Sequence, residues 1–362
     1  MYRILRQYSL SAVMENIVQH TFPLLKLPVD ALKNVLRNME VLHLLGFSFC
    51  SKASLELATS VNLKAINIKL HIFETSHFTI YFEQTNIFLS FRPKPNPAGQ
   101  PIQLSELERV SGTDFGRGGS VRWENLAHTA KDLFQRVFSV FHPQRIRRVN
   151  FTKDTFEVES LKESFKGLEV AEIGFLEEEF AEIGFFEDIP NEYTREVLSN
   201  FSHVPRFVIQ RNPFETSTQT HKFFIQNLTS LRLYDTTSLT IDDLLMSNCS
   251  RFSAISPILW SGKVLNRWLK LWRSGCNPNL RCIEIKMVNG KVEDVLKGLN
   301  AQIIPESKIR VFEQPDLDFT GERREKKRIR GGFDIRRSDG TCATITLLEK
   351  VDAFNFAFYV WS

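Results

Sequence analysis

The sequence lacks several features that would place it in a well-defined class. No stretch approaches the run of about 18 apolar residues that a membrane-spanning helix needs. The five cysteines are an odd number without dense spacing, which favours a reducing compartment over a disulfide framework. Basic residues number 46 and acidic ones 42, so charge does not predict nucleic acid as a partner. We therefore expect a protein of the cytosol or nucleus that spans no membrane.

The sequence also lacks the common motifs of catalysis and metal binding. No G-x-S-x-G elbow, H-E-x-x-H helix or dinucleotide fingerprint occurs. Cys276 and Cys282 have neither a second pair nor a histidine at ligand spacing, so zinc is not expected. Residues 116–120 lack the lysine of a phosphate-binding loop and are read as a plain loop. We expect no cofactor and no enzyme, although a triad assembled only in the fold stays open.

What is present fits a folded protein of about two domains, given 362 residues with 43 % hydrophobic and 24 % charged residues. Phenylalanine is unusually common, with 31 residues against 6 tyrosines. The core is therefore predicted to depend on phenylalanine rings.

The most apolar part of the chain is residues 22–60, in which 21 of 39 residues are apolar. Pro28 suits the first turn of a helix, which the spacing of Leu32, Val35, Leu36 and Met39 continues. A segment this short cannot normally bury enough surface to fold alone. We therefore expect another surface, most simply that of a partner protein, to cover it.

Two further short helices are predicted in this segment. Val41, Leu44, Leu45 and Phe49 indicate the second, and Ser51 is a plausible N-cap for the third. The segment should thus form a small three-helix module with apolar side chains on more than one side.

These residues resemble the F-box. The resemblance lies in Phe22-Pro23-Leu24-Leu25-x-Leu27-Pro28, in Val35-Leu36 and Leu44-Leu45, and in Ser48-Phe49-Cys50-Ser51-Lys52. In that family the module binds a Skp-type adaptor, which joins it to a cullin scaffold and to ubiquitin-conjugating machinery. The resemblance implies that the adaptor-facing or module-core residues are Leu27, Pro28, Leu32, Val35, Leu36, Leu44, Leu45 and Phe49. For each residue, the alternative is a purely internal core position, since apolar helical stripes are usually core.

Beyond residue 60, strands and helices alternate. A strand is predicted over 62–72, a hairpin over 77–82 and 86–92, a proline-rich loop over 92–101 and a loose glycine-containing stretch over 112–119. Five later strands share an apolar-x-x-apolar-x-apolar pattern, beginning at Ile146, Leu168, Val204, Leu228 and Leu280. Spacing in the twenties favours a leucine-rich-repeat-like curved sheet with flanking helices, while a non-repetitive α/β sheet remains the alternative.

The C-terminal part resembles the type 2 F-box-associated domain of the large nematode F-box family. The resemblance rests on residues 265–280, which begin with Leu265-Asn266-Arg267-Trp268, and on residues 336–345 with Val360-Trp361 at the close. It implies a target-binding region of an SCF-type ubiquitin ligase subunit. Trp268 and Trp272 are predicted to be core residues, with a binding surface as the alternative.

Two unusual segments interrupt this pattern. Residues 171–175 return as 181–185, which we interpret as an inserted loop or an extended strand. Residues 323–330 hold six basic side chains and are predicted to form a solvated loop, with a nuclear-import signal or an acidic-partner contact as the alternative.

The fold class predicted is therefore mixed α/β: a flexible lead-in over 1–21, for which a mitochondrial leader is the alternative, an F-box over 22–60, and an α/β body over 61–362 that ends in an antiparallel meander. The F-box-associated region would span about 200–362. The function expected is that of a non-catalytic substrate receptor. The alternative is a scaffold or nucleic-acid-associated protein that uses the basic loop over 323–330, and the target-binding residues stay unknown.

Overall fold

The fold is taken from a computed structural model of the chain. It describes residues 24–73, 75–94, 102–104, 107–116, 118–124, 128–175, 189–288, 290–317, 324–350 and 353–361. The predicted lead-in, most of the proline-rich loop and the second copy of the duplication lie outside these residues.

Three helices open the described chain, and strands with further helices follow. The helices are α1 (Val29–Asn38), α2 (Val41–Ser48), α3 (Lys52–Ser60), α4 (Ala130–Phe141), α5 (Val158–Ser164), α6 (Asn191–Asn200), α7 (Ser217–Phe224), α8 (Ile241–Met246), α9 (Gly262–Arg273) and α10 (Val292–Leu296). The strands are β1 (Asn67–Ile72), β2 (Ser76–Tyr81), β3 (Asn86–Pro93), β4 (Leu107–Asp114), β5 (Ser120–Glu124), β6 (Arg148–Phe151), β7 (Ile173–Gly174), β8 (Arg206–Ile209), β9 (Ser230–Leu233), β10 (Arg251–Ile258), β11 (Cys282–Met287), β12 (Gln302–Leu317), β13 (Arg324–Arg336), β14 (Cys342–Lys350) and β15 (Ala353–Val360).

All fifteen strands join one mixed sheet, in the order β12-β13-β14-β15-β11-β10-β9-β8-β7-β6-β1-β2-β3-β4-β5. Strand β1 and strands β6 to β11 are parallel and lie side by side in chain order. Antiparallel strands extend both ends, β2 to β5 at one and β12 to β15 at the other. The mixed α/β class and the closing meander are thus observed. Both a repeat solenoid and a non-repetitive sheet give this strand order, so the leucine-rich-repeat interpretation stays a prediction.

The sheet has one apolar and one polar face because strand side chains alternate in direction. Helices pack on the apolar face through aromatic rings. The ring centroids of Phe207 on β8 and Phe223 on α7 are 5.5 Å apart. Those of Phe358 on β15 and Trp272 on α9 are 4.8 Å apart. Trp268 and Trp272 are fully buried, as predicted for core residues. The predicted dependence of the core on phenylalanine is confirmed by these contacts.

The polar face of the parallel region is held by ion pairs between neighbouring strands. Arg148 of β6 lies 3.2 Å from the carboxylate of Glu172, just before β7, and Arg251 of β10 lies 2.7 Å from that of Glu284 on β11. Each buried charge therefore has a partner of opposite sign, which avoids the large free-energy cost of burying an isolated charge.

Two local predictions need correction, and one helix was missed. The strand predicted over 62–72 begins only at Asn67, because Asn62 takes a left-handed φ of 58° that turns the chain after α3. The loose stretch predicted over 112–119 includes the last part of β4, so Gly112 is a strand residue. Helix α5 was not predicted, although its buried residues Val158 and Leu161 have helical spacing.

The described part of the basic run, residues 324–330, is not a loop. From Arg324 onward it belongs to β13, which pairs antiparallel with β12. Its described side chains alternate, with Ile329 buried and Lys326, Arg328 and Arg330 exposed. A loop was predicted because most residues of the run are charged, so the alternation of buried and exposed side chains that is typical of a strand is not visible in the sequence.

Strands β12 and β13 form a long hairpin, which we call the arm. One side of the arm packs on the polar face of the sheet, where Phe312 lies 5.1 Å from Tyr359 and 5.8 Å from Trp361. Lys327 on the same side forms an ion pair with Glu284. The arm therefore makes a second, smaller core on the face opposite the helices.

Candidate functional site

The first helix of the three-helix module, α1, has sequence features that favour its start at Val29. Pro28 occupies the N-cap position of α1, and Asp30 in the first turn meets the positive end of the helix dipole. Ser51 caps α3 by accepting a hydrogen bond from the Ser54 N–H at 3.0 Å, as predicted. Three short helices are therefore present at the predicted places.

Helix α1 has a buried and an exposed apolar side. Leu32 and Leu36 are buried in the module. Pro28, Ala31 and Val35 are exposed and follow one another at i, i+3 and i+7, so they share one face of the helix. Val35 is 41 % exposed, which is high for a branched aliphatic side chain on an amphipathic helix. This exposed stripe of α1 is the apolar surface that the module offers to solvent.

Helix α2 is apolar nearly all round, and it is buried on more than one side. Leu44 and Leu45 are fully buried, and Leu42 packs against Gly112 of β4 in the body. A Cβ added at Gly112 would lie 2.5 Å from the Leu42 Cδ2 atom. The absence of a side chain at Gly112 thus lets α2 approach the sheet closely.

The residue after α2 joins the module to the body. The Phe49 ring lies 5.8 Å from the ring of Trp123 and 5.3 Å, edge to face, from that of His128. Arg136 of α4 places its guanidinium 5.2 Å from the Phe49 ring centroid and donates a hydrogen bond to the Ser48 carbonyl. We call Phe49, Trp123, His128 and Arg136 the junction cluster.

Charges around the junction cluster are tuned by burial and capping. Burial, helped by the nearby Arg136 charge, lowers the pKa of His128, although Asp132 opposes this. Burial acts to raise the pKa of Asp132, but hydrogen bonds from the Thr129 N–H and hydroxyl lower it on balance. The bond from the Thr129 N–H to the Asp132 carboxylate, together with a bond from the Asp132 N–H to the Thr129 hydroxyl oxygen, forms the capping box that starts α4. His128 is therefore favoured in its neutral form beside Phe49.

The segment between α3 and β1 is also tied to α4. The Ala65 N–H donates to the Phe141 carbonyl at 2.8 Å. The His142 ring Nε2 lies 3.1 Å from the Thr59 carbonyl, to which it can donate. Module and body are thus linked by short, hydrogen-bonded chain.

The structure distributes the eight predicted adaptor residues among three environments. Buried are Leu32, Leu36, Leu44 and Leu45; half-buried are Leu27 and Phe49; exposed are Pro28 and Val35. The eight therefore do not form one surface. Sequence reasoning left out Val29, which is 62 % exposed, and Ala31, whose place three residues after Pro28 was the available signal.

The expectation that a partner must cover the whole apolar surplus is wrong for α2 and α3, and for α1 it stays a prediction. The body itself covers much of α2 and α3, through α4, β4 and β5. The α1 stripe is left exposed. The apolar residues of the module therefore belong to two surfaces. One packs against the body, and the other, on α1, is exposed to solvent.

A cavity of about 1050 Å³ lies on the other side of the module, between the turn after α1 and the N-terminal ends of the central strands. Its lining includes Arg37, Glu40, Lys64 and Arg145, and Arg145 is paired with Glu169 at 3.2 Å. The lining also includes Leu36, Met39, Val41 and Leu44 of the module, so it mixes charged and apolar side chains. The cavity does not continue the α1 stripe.

The described ranges lack the features of two other classes of site. No helix there is long and apolar enough to cross a membrane. Nor do histidine, cysteine and carboxylate side chains gather there in a group that could hold a metal ion. All five cysteines are free thiols, and burial raises the pKa of Cys249 to about 12.

Comparison with protein families finds two domains. The F-box domain model matches residues 24–66, which include α1 to α3. The type 2 F-box-associated model matches residues 219–285, which run from α7 to β11 and include Trp268 and Trp272. No curated protein and no solved structure matches the chain. Two parts of the chain thus match an F-box domain and an F-box-associated domain.

Proposed function

We propose that this chain, which carries an F-box domain and an F-box-associated domain, is the substrate-recruiting subunit of an SCF-type cullin ubiquitin ligase. Its F-box binds a Skp-type adaptor, and the adaptor joins it to the cullin scaffold. Its α/β body binds the target protein. The chain itself performs no chemistry and contributes by holding the target near the conjugating machinery.

The exposed stripe on α1 is the observation that carries this proposal. The body already covers α2 and α3, but intramolecular packing leaves Pro28, Ala31 and Val35 exposed to solvent. Exposed contiguous apolar residues commonly mark a protein interaction site. Helix α1 is therefore assigned to the adaptor.

The eight predicted residues then divide by role. Pro28 and Val35 contact the adaptor directly. Leu32, Leu36, Leu44 and Leu45 hold the module in shape from inside, and Leu27 borders the contact. Phe49 fixes the module on the body. This division keeps the proposed domain bounds, with the F-box over 22–60 and the associated region over about 200–362.

We also propose that the parallel strands form a leucine-rich-repeat-like solenoid. The support is that β1 and β6 to β11 follow one another across the sheet in chain order, with a helix in each of the fully described connections from β8 to β11.

The test is capture of the chain by a purified Skp-type adaptor. The variant Ala31→Asp/Val35→Asp places charge in the stripe and should weaken capture by at least about tenfold. Ile225→Asp, at a 50 % exposed aliphatic residue after α7, is the matched control and should bind normally. Circular dichroism would show that all three proteins are folded. No capture by folded wild-type protein would refute the proposal.

A scaffold or nucleic-acid-associated function is the second candidate. It is favoured by one observation, the row of exposed cations Lys326, Arg328 and Arg330 on β13. This function requires binding to a nucleic acid that weakens steeply with salt and is lost when the row is neutralised. Binding that ignores salt would exclude it.

A further inference from the structure

The arm has a free edge along a long strand. Strand β12 ends the sheet and pairs with β13, and among the described residues its other edge has no strand neighbour. Such an edge presents backbone N–H and C=O groups to any extended chain that approaches it. Edge strands of this length are therefore either protected or used for binding.

The outer side of the arm combines aliphatic and basic side chains. Ile309 and Val311 of β12 are 47 % and 54 % exposed. Their cross-strand partners on β13 are Arg330 and Arg328, both exposed. An apolar row therefore runs along the open edge, with a row of positive charge directly behind it.

Among the described side chains of the arm, this positive charge is only weakly compensated. Glu313 lies 3.7 Å from Lys326, and both side chains are more than half exposed. Such an exposed pair contributes little and is screened by salt. The row can still act on a ligand beside β12, because the Debye length at physiological salt is about 8 Å.

The inner side of the arm holds it in place. Arg310 donates two hydrogen bonds to the Asp334 carboxylate, at 3.0 and 2.9 Å, and one to the Thr344 hydroxyl at 2.7 Å. Its guanidinium also lies 4.6 Å from the Trp361 ring centroid. A ligand would thus meet a preorganised strand, which lowers the entropic cost of binding.

Features that hinder the pairing of another strand with the free edge lie only near the two ends of β12. The register of β12 with β13 shifts between Ile304 and Ile309 and again between Glu313 and Leu317. Pro305 and Pro315, which have no backbone N–H, fall in these same intervals. The segment Ile309–Glu313 between them is regular, and we call it the edge window.

We propose that the edge window binds an extended segment of the target protein as an added β-strand. The segment has aliphatic residues at alternate positions, to cover Ile309 and Val311, and a net negative charge, to match Arg328 and Arg330. Backbone pairing provides the affinity and the side chains provide the selectivity. This inference rests on the proposed function, because it takes the body's ligand to be the recruited target.

A protein segment fits this surface better than a nucleic acid. Sequence-tolerant binding of single strands depends on aromatic side chains that stack with bases. The described outer side of the arm presents Ile309 and Val311 instead of aromatic rings.

The experiment measures binding of a labelled peptide, acetyl-Asp-Glu-Val-Thr-Val-Thr-Val-Glu-Asp-amide, to the full chain by fluorescence anisotropy. A second peptide has the same side chains, but its central amides are N-methylated and cannot pair as a strand. Ile309→Asn/Val311→Asn is the test variant, and Ile225→Asn is its matched control. Adaptor capture is measured in parallel on every variant.

The proposal predicts that the first peptide binds and that the N-methylated one binds at least about tenfold more weakly. Ile309→Asn/Val311→Asn should lose a similar factor with an unchanged melting temperature, while Ile225→Asn binds normally. Arg328→Gln/Arg330→Gln should weaken binding at low salt more than at high salt.

Three results would overturn the proposal: no peptide binding by folded wild type, equal binding of the N-methylated peptide, or equal binding by Ile309→Asn/Val311→Asn. Preferential binding of a labelled oligothymidylate through Arg328 and Arg330 would assign the arm to nucleic acid instead. Loss of adaptor capture with retained peptide binding would count against the proposed function alone.

Discussion

The guanidinium of Arg136 lies 5.2 Å from the ring centroid of Phe49 and donates a hydrogen bond to the carbonyl of Ser48, the last residue of α2. One side chain of α4 thus contacts the aromatic ring that follows α2 and one of the carbonyls that α2 leaves open at its C-terminus. A cation there is also stabilised by the helix dipole.

Replacing Arg136 should therefore loosen the module from the body. Arg136→Gln removes the cation and should lower the free energy of unfolding by about 1–2 kcal/mol. Urea denaturation followed by tryptophan fluorescence measures this. Lys131→Gln, on the same helix, breaks the exposed pair with Glu163 and should leave the free energy of unfolding nearly unchanged. Equal losses in the two variants would contradict the role given to Arg136.

Gly112 should tolerate no side chain without cost. Gly112→Ala places a methyl group against Leu42 and should destabilise the protein by about 1–2 kcal/mol, because Leu42 must move in a packed contact. Gly119→Ala is the control, since the nearest atom to its added Cβ, Glu40 Oε2, is 3.6 Å away and its φ is not positive. Thermal melting compares the two. A stable Gly112→Ala protein would show that α2 does not rest on β4 as described.

Stability should fall in mild acid through His128. Its pKa in the folded protein is lowered from 6.5 by burial and by Arg136, so the unfolded state binds more protons as the pH drops below about 6.5. The free energy of unfolding therefore decreases over the window between the folded pKa and about 6.5. Melting temperatures from about pH 7.5 to about pH 5.5 should fall less steeply for His128→Gln than for wild type. Parallel curves would exclude this contribution.

Glu284 should stabilise the attachment of the arm. Burial acts to raise the pKa of Glu284, but Arg251 and Lys327 lower it on balance, so its contribution is present above its unfolded pKa and is lost as the pH falls through the folded value. Glu284→Gln should cost about 2–3 kcal/mol, because two partly buried cations lose their partner. Glu313→Gln, in the exposed pair of the same arm, should cost less than about 0.5 kcal/mol. Urea denaturation of both variants measures these losses. Similar denaturation midpoints for the two variants would contradict the role given to Glu284.

Local signals allowed much of the fold to be predicted. Helix α9 follows from the spacing of Leu265, Trp268 and Trp272, and α8 from Thr240, which forms a capping box with Asp243. The signals for both helices lie within a few positions of one another in the sequence. The three module helices were found in the same way.

What escaped prediction depends on residues far apart in the chain. The packing of Phe49 with Trp123 and the approach of Leu42 to Gly112 join segments about seventy residues apart, and no periodicity encodes them. Division of the predicted site into buried and exposed residues followed from these contacts. The exposed stripe could have been read from Pro28, Ala31 and Val35, had the helix been assumed to be covered on one side only.

For the proposed receptor, the short connection between α3 and β1 has a consequence for which lysines of a target could be modified. Ala65 and His142 tie this connection to the end of α4, and Asn62 turns it, so no slack linker separates the three-helix module from the body. In a receptor built this way, the docked target would be presented at one fixed height and angle relative to the ubiquitin donor. Only lysines inside a narrow zone of that target would then be reached, and selectivity would come from orientation as well as from affinity.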